Sequence, residues 1–253
     1  MFPTLITIGP LTFRTYGALV ALGMFLALQY MLRRAKQQNL PEENILDMSL
    51  YAIVAGLIGG RLAYVLLSFN YFAKHPSEIF MVWEGGMVFY GGLLLGSLAV
   101  IYYIKKHPVI NLWKLADIVA PALALGHVFG RLGCFFAGCC YGHETSLPWG
   151  VTFRNTESLA PLHVCLHPTQ LYEALGNLVI FIFLDWYNRY KHGAGKTFWV
   201  YLFFYGMLRF HMEFLRGDDR GGMILGMSPG QLMSLALIVT SVAVLAYKKG
   251  KHE

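Results

Sequence analysis

Seven apolar stretches of about twenty residues each, spaced from one end of the chain to the other, leave it few ways to fold. They cover about 15–32, 48–69, 86–104, 115–136, 169–187, 196–215 and 229–247. A helix needs roughly twenty apolar residues to cross the hydrocarbon core of a bilayer. Within lipid, every backbone N–H and C=O must find its partner inside the protein, so isolated stretches of this length become helices. The predicted fold class is an all-α integral membrane protein, a bundle of about seven transmembrane helices. Only 13% of the residues are charged, about half the ~25% of a soluble domain. No segment is left over for a soluble module, so residues 1–253 are read as a single polytopic membrane domain. The formal net charge of +6 is spread over short loops, which excludes a nucleic-acid-binding surface and makes membrane lipids the surroundings. No basic n-region precedes the first apolar run, and no small-residue cleavage site follows it, so no removable signal peptide is expected.

Loop charge sets the expected orientation. One side carries Arg33, Arg34, Lys36, Lys105, Lys106, Lys114, Arg189, Lys191, Lys196, Lys248, Lys249 and Lys251. The other carries Arg14, Lys74, Arg154, Arg216 and Arg220. Cytoplasmic loops hold the excess of Lys and Arg. The C-terminus is therefore expected in the cytoplasm and, with seven spans, the N-terminus outside.

Three arginines lie inside apolar segments: Arg61 in VAGLIGGRLAYVLL, Arg131 in APALALGHVFGRLGCFF and Arg209 in VYLFFYGMLRFHMEFL. A guanidinium at mid-bilayer costs from about 2.5 kcal/mol upward, and such a residue marks a functional site by default. By the orientation above all three fall in the outer half of the bilayer. Tyr16, Tyr90 and His167 come at a similar level, so a polar site is expected where a lipid headgroup lies.

Around these arginines the local patterns add detail. Arg209, Glu213 and Arg216 recur at i, i+4 and i+7, with Tyr205 one turn earlier, all on one helical face. Their plain alternative is a structural ion-pair network. GRLGCFFAGCCYG, Gly130 to Gly142, packs glycines, cysteines and Arg131 together; freed backbone N–H groups there suit phosphate oxygens. VWEGGMVFYGGLLLG places Glu84 and Tyr90 among five glycines. It reads either as irregular backbone lining a cavity or as close helix packing through small residues. Cys134, Cys139, Cys140 and Cys165 show no paired zinc-ligand spacing. No metal is expected; the cysteines are read as non-catalytic residues of the outer face, where disulfides form readily. His163 and His167 flank Cys165 as solvated loop residues.

Taken in order along nearly the whole chain, GPLTFRTYG, GGRLAYV, VWEGGMVFYGG, GRLGCFFAGCCYG, LHPTQLYEAL, YGMLRFHMEFLR and MSPGQLMSLALI resemble the prolipoprotein diacylglyceryl transferase family of the bacterial cell inner membrane. The resemblance implies a seven-span enzyme open to the outer side. It would transfer the diacylglyceryl group of phosphatidylglycerol to the lipobox cysteine of prolipoprotein signal peptides, forming a thioether and releasing glycerol 1-phosphate. It implies no metal and no organic cofactor. Residue by residue, it makes Arg131 and Arg209 the essential phosphate-binding arginines, with Tyr205, Glu213 and Arg216 beside Arg209. Arg61, Tyr16, His167 and Gly142 match further substrate-binding positions. Tyr90 stands where the family usually has histidine, proposed as its base, and Cys134 and Cys139 stand where it has Asn and Glu. Two rival readings stay open at this point. One is a paralogue using the same lipid with another acceptor or a cysteine-dependent chemistry. The other is a phospholipid transporter, against which the absence of an internal repeat counts.

Overall fold

The computed structural model describes residues 2–9, 11–81, 85–107, 111–190, 192–218, 222 and 226–250. Glu84, Lys191, Asp219, Arg220 and Lys251, to which the motifs and the loop charges refer, lie outside the described residues. Each apolar stretch carries a helix: α1 (Thr15–Gln37), α2 (Glu42–Leu67), α4 (Phe89–Lys106), α5 (Leu112–Ala137), α6 (Thr169–Tyr187), α7 (Lys196–Glu213) and α8 (Pro229–Gly250), with a single turn, α3 (Phe69–Phe72), after α2. By length and composition alone, α1, α2, α5 and α8 are long and apolar enough to cross a membrane. Many of their large side chains, such as Leu57, Leu66, Val239 and Val242, are exposed. That is how a helix surface facing lipid is built, since lipid tails are as apolar as leucine.

Helix ends follow the local chemistry. α1 closes on Arg34 and Lys36, cations at the negative end of the helix dipole, and left-handed Asn39 follows. α2 opens with Glu42 and Glu43, anions at the positive end. Ahead of α1, β1 (Thr4–Ile8) and β2 (Leu11–Arg14) pair antiparallel. The hairpin is marked in the sequence only by β-branched Thr4, Ile6 and Ile8 at every second position before Gly9.

The chain divides into two compact units. In Met31–Leu112, α2 packs on α4 through facing glycines. A Cβ on Gly91 would lie 2.4 Å from both the Gly59 carbonyl oxygen and the Ala63 Cβ. The backbones therefore touch, the close-packing use of small residues. Gly91→Ala should force the helices apart and destabilise this unit by about 1–3 kcal/mol, the usual cost of overpacking. The measurement is the thermal midpoint of the purified protein. An unchanged midpoint would mean that the two backbones do not meet at this position.

The other unit holds Met1–Tyr30 and Trp113–Glu253. Its core joins α5, α6 and α7 through Ala120, Ala124, Ile180, Leu184 and Tyr201. Buried Asp117 of α5 accepts the N–H groups of Gly195, 2.6 Å, and Phe198, 2.9 Å. It thereby caps the first turn of α7, whose own Gly195 has no side chain to do so. Between α5 and α6 a long loop folds on itself through β3 (Val151–Thr152) and β4 (Cys165–Leu166) over a small core of Phe153, Ala160 and Leu166.

Candidate active site

Glu173 is the centre of the polar cluster in the second unit. It projects from α6, its side chain is 2% exposed, and it receives three arginines. Arg131 of α5 reaches its Oε2 at 2.7 Å; Arg209 of α7 and Arg216 reach its Oε1 at 3.3 and 3.0 Å. Among the described residues, Arg209 and Arg216 each have a second carboxylate and Arg131 does not. Arg209 pairs with Glu213 one turn on. Arg216 grips Asp218 through Nε and Nη2, both at 2.8 Å. Glu213 is anchored in turn by the Ser228 hydroxyl, 2.9 Å away. Among the described residues three guanidinium groups thus meet three carboxylates, so this part of the cluster is formally neutral instead of the net positive site that one Glu between two Arg residues would make. Its cations differ in what they have left to give. The Arg216 side chain is 2% exposed and committed on both faces. Arg131 is 18% exposed and spends one Nη on Glu173. Among the described residues its other guanidinium nitrogens have no hydrogen-bond partner.

The helices place these groups for local reasons. Asn177 turns its amide back on the Glu173 carbonyl. His127 lies one turn before Arg131, has its Nδ1 3.3 Å from the Tyr201 hydroxyl and stacks on Tyr205, which also stacks on Tyr201. Tyr16 at the start of α1 packs against Gly133, where a Cβ would come within 3.0 Å of its ring. Arg216 is held by a backbone bridge to Gly142. The Gly142 N–H donates to the His167 carbonyl, and the Gly217 N–H to that of Tyr141. A Cβ on Gly142 would meet the His167 Cβ at 2.6 Å and the Leu215 carbonyl at 2.7 Å, so only glycine lets these three segments close. His167 contributes backbone here, with its ring 3.5 Å from the Tyr172 hydroxyl. Burial pulls the Arg216 pKa down, but Asp218 and Cys140 more than offset it and hold the group above the usual arginine value.

Of the expected site residues, Arg131, Arg209, Glu213 and Arg216 converge on Glu173 or its immediate partners. Tyr16, Tyr205, Gly142 and His167 belong to the same unit. Arg61 and Tyr90 belong to the other. There Arg61 is buried, and its donors go to backbone: Nε to Ile79 O at 2.9 Å, Nη1 to Gly85 O at 2.6 Å and Gly86 O at 3.2 Å, and Nη2 to Glu78 O. The guanidinium also lies over the rings of Phe72 and Tyr64. It fixes the irregular backbone before α4. Tyr90 sits in the first turn of α4, is 58% exposed and meets Phe89 edge to face.

Two features of the site carry no signal in the sequence. Glu173 is one; it stands in LHPTQLYEAL as a lone acid with no charged neighbour to mark it. The cysteines are the other. None is in a disulfide, yet the thiols of Cys134, Cys139 and Cys140 lie within 4.8 Å of one another. Linear spacing hides this, because α5 ends at Ala137 and the left-handed Gly138 and Cys140 fold the chain back.

Comparison with known proteins gives a consistent match. The family model described as prolipoprotein diacylglyceryl transferase matches residues 3–247. A phosphatidylglycerol–prolipoprotein diacylglyceryl transferase of Clostridium tetani is 38% identical over 244 residues, covering 96% of each chain. One of Geobacter sulfurreducens is 38% identical over 256 residues, covering 98% of this chain and 96% of the relative. A second transferase of this name in Clostridium perfringens is 34% identical over 237 residues, covering 94% and 91%.

Proposed function

Since the chain belongs to the prolipoprotein diacylglyceryl transferase family, we propose that its arginine cluster is where a diacylglyceryl group leaves phosphatidylglycerol for a prolipoprotein. The chain is a multi-pass membrane transferase of lipoprotein biosynthesis that takes phosphatidylglycerol as donor and prolipoprotein as acceptor. The observation that carries the reading of the site is Arg131. One Nη is fixed by a buried carboxylate, and the remaining donors are uncommitted among the described residues. That is the arrangement that binds a phosphodiester: a planar cation, oriented in advance, with donors in hand for two oxygens.

The chemistry asks for such a group. The acceptor is the lipobox cysteine of the prolipoprotein signal peptide. Its thiol loses a proton, its sulfur attacks the glyceryl carbon bonded to phosphate, and the C–O bond breaks. A thioether forms and glycerol 1-phosphate departs carrying one more negative charge than it had as a diester. Donors already aimed at that growing charge stabilise the transition state without reorganising. Arg131 takes the phosphate. Arg209, flanked by Tyr205 and Glu213, supports it through the shared Glu173, and Arg216 locks the turn at Gly142. Tyr16 and His167 line the headgroup region of the same unit, while Arg61 acts from its own unit by holding the backbone before α4. A test is transfer from phosphatidylglycerol to a lipobox peptide by the purified protein, followed by mass spectrometry. The thioether product and glycerol 1-phosphate should appear together; lipid moved without either product would make the protein a carrier.

Tyr90 is proposed as the proton acceptor in place of the histidine of relatives. Tyr90→Phe should then slow transfer by roughly 10²–10⁴-fold, the range of general acid–base catalysis. Tyr90→His should keep or regain activity, because imidazole titrates nearer neutral pH. An unchanged pH–rate profile and a near-normal rate for Tyr90→Phe would remove it from the reaction.

The seven-span arrangement in a bacterial inner membrane, N-terminus outside and C-terminus in the cytoplasm, is part of the same proposal. A periplasm-dependent phosphatase fused after Lys251 should be inactive, and one inserted near Ser158 in the α5–α6 loop should be active. The reverse pattern would invert the topology.

A further inference from the structure

The thiols of Cys134, Cys139 and Cys140 converge on a point beside the arginine cluster, and nothing in the transfer reaction uses them. Cys134 is on the last turns of α5, one helical turn after Arg131 and so on the same face. Cys139 and Cys140 follow on the reversed loop. Their backbone is pinned from α6: Gln170 donates to the Cys139 carbonyl at 2.7 Å and Thr169 to the Cys140 carbonyl at 2.8 Å, both side chains being fully buried. Left-handed Cys140, at φ 63°, is held in a conformation that a non-glycine residue seldom adopts. In this conformation its thiol lies within 4.8 Å of those of Cys134 and Cys139.

We propose that Cys134, Cys139 and Cys140 form a binding site for one soft cation of the zinc group, with a fourth coordination position left to a ligand from outside the chain. The geometry fits. Sulfurs around a zinc-group ion bound at about 2.3 Å stand roughly 3.8–4.0 Å apart. The three here lie within 4.8 Å of one another, so side-chain rotation of well under an ångström or so per sulfur completes the set. A disulfide would join only two of these sulfurs, whereas a metal ion would use all three. Charge fits as well. Three thiolates with a divalent cation carry a net charge of −1. The guanidinium of Arg131, one turn from Cys134 on the same helical face, is the neighbouring cation. The fourth cysteine, Cys165, sits in β4 against Gly150 and outside the trio, which makes it an internal control.

The experiment uses the full-length protein in detergent, reduced, freed of reductant under inert gas and titrated with Cd²⁺ alone. Binding of one ion per chain with thiolate-to-metal charge-transfer absorption is expected, and X-ray absorption on the wild type should count three protein sulfurs around cadmium. Replacing Cys134, Cys139 and Cys140 together by Ser should remove the absorption, and Cys165→Ser should leave it intact. Counting cadmium-bound sulfurs in the unaltered protein keeps the test valid if the triple variant misfolds. No charge-transfer band, fewer than three sulfurs, or a band surviving in the triple variant would overturn the site. So would a wild type that emerges from oxygen-free isolation without reductant with only two titratable thiols, because a disulfide would then hold two of the proposed ligands. None of these readouts depends on transfer activity, so the inference and the proposed function fail separately.

Discussion

Arg131→Ala should lose phosphatidylglycerol binding and lower transfer by at least about 10²–10³-fold, the cost of removing one preorganised donor from a developing oxyanion. Arg209→Ala should fall in the same range, for a different reason. In the proposed site Arg131 would face the substrate with donors that have no partner among the described residues, whereas Arg209 bridges Glu173 and Glu213 and would set the electrostatic field in which Arg131 works. The conservative variants separate the two roles. Arg131→Lys keeps the charge but loses the fork that meets two phosphate oxygens, and should remain poor. Arg209→Lys can still pair with one carboxylate at a time and should recover part of the rate. The measurement is kcat and KM for phosphatidylglycerol with a lipobox peptide, on variants that elute as wild type from a sizing column. Near-normal turnover of folded Arg131→Ala would make its charge merely structural.

The residues of the site were unequally legible in the sequence. A guanidinium in an apolar stretch is conspicuous because it is expensive, so Arg131 and Arg209 stand out at once. The i, i+4, i+7 spacing is enough to place Glu213 and Arg216 with Arg209, and the structure puts Arg209 against Glu213 as that spacing implies. Glu173 carries no such local mark. Its three partners come from α5, α7 and the segment after α7, and pairing at sequence separations of 36 to 43 residues is a property of packing, not of period. The cysteines fail for a related reason: ligand-spacing rules assume ordinary backbone between the ligands, and Gly138 and Cys140 are left-handed. Arg61 shows the converse. Its burial was legible, but its partners are main-chain carbonyls, which every residue possesses and no motif advertises. The helices themselves were read almost end to end, because in lipid both length and composition are imposed by the solvent.

Glu173 is where the fold and the chemistry depend on one side chain. Glu173→Gln removes the charge to which three guanidinium groups are aimed and leaves them against Glu213 and Asp218 alone. Breaking a buried ion pair by deleting one partner costs about 3–5 kcal/mol, because the remaining charge stays buried without compensation. Three arginines share this partner, so the variant should sit at the upper end of that range, seen as a large drop in the thermal midpoint. Glu173→Asp keeps the charge but is one methylene short of reaching all three, and should fall between. A second consequence distinguishes a substrate site from an ion network that merely lets the helices sit in the membrane. With Glu173 neutralised the cluster gains a net positive charge, and an anionic headgroup becomes its best available counterion. Adding phosphatidylglycerol should therefore raise the thermal midpoint of Glu173→Gln by more than it raises that of the wild type, while a zwitterionic phospholipid does not. Transfer should still be slow, since Arg131 has lost the carboxylate that orients it. Equal stabilisation of both proteins by the two lipids would mean that the phosphate never reaches these arginines, and the headgroup would have to be sought elsewhere in the chain.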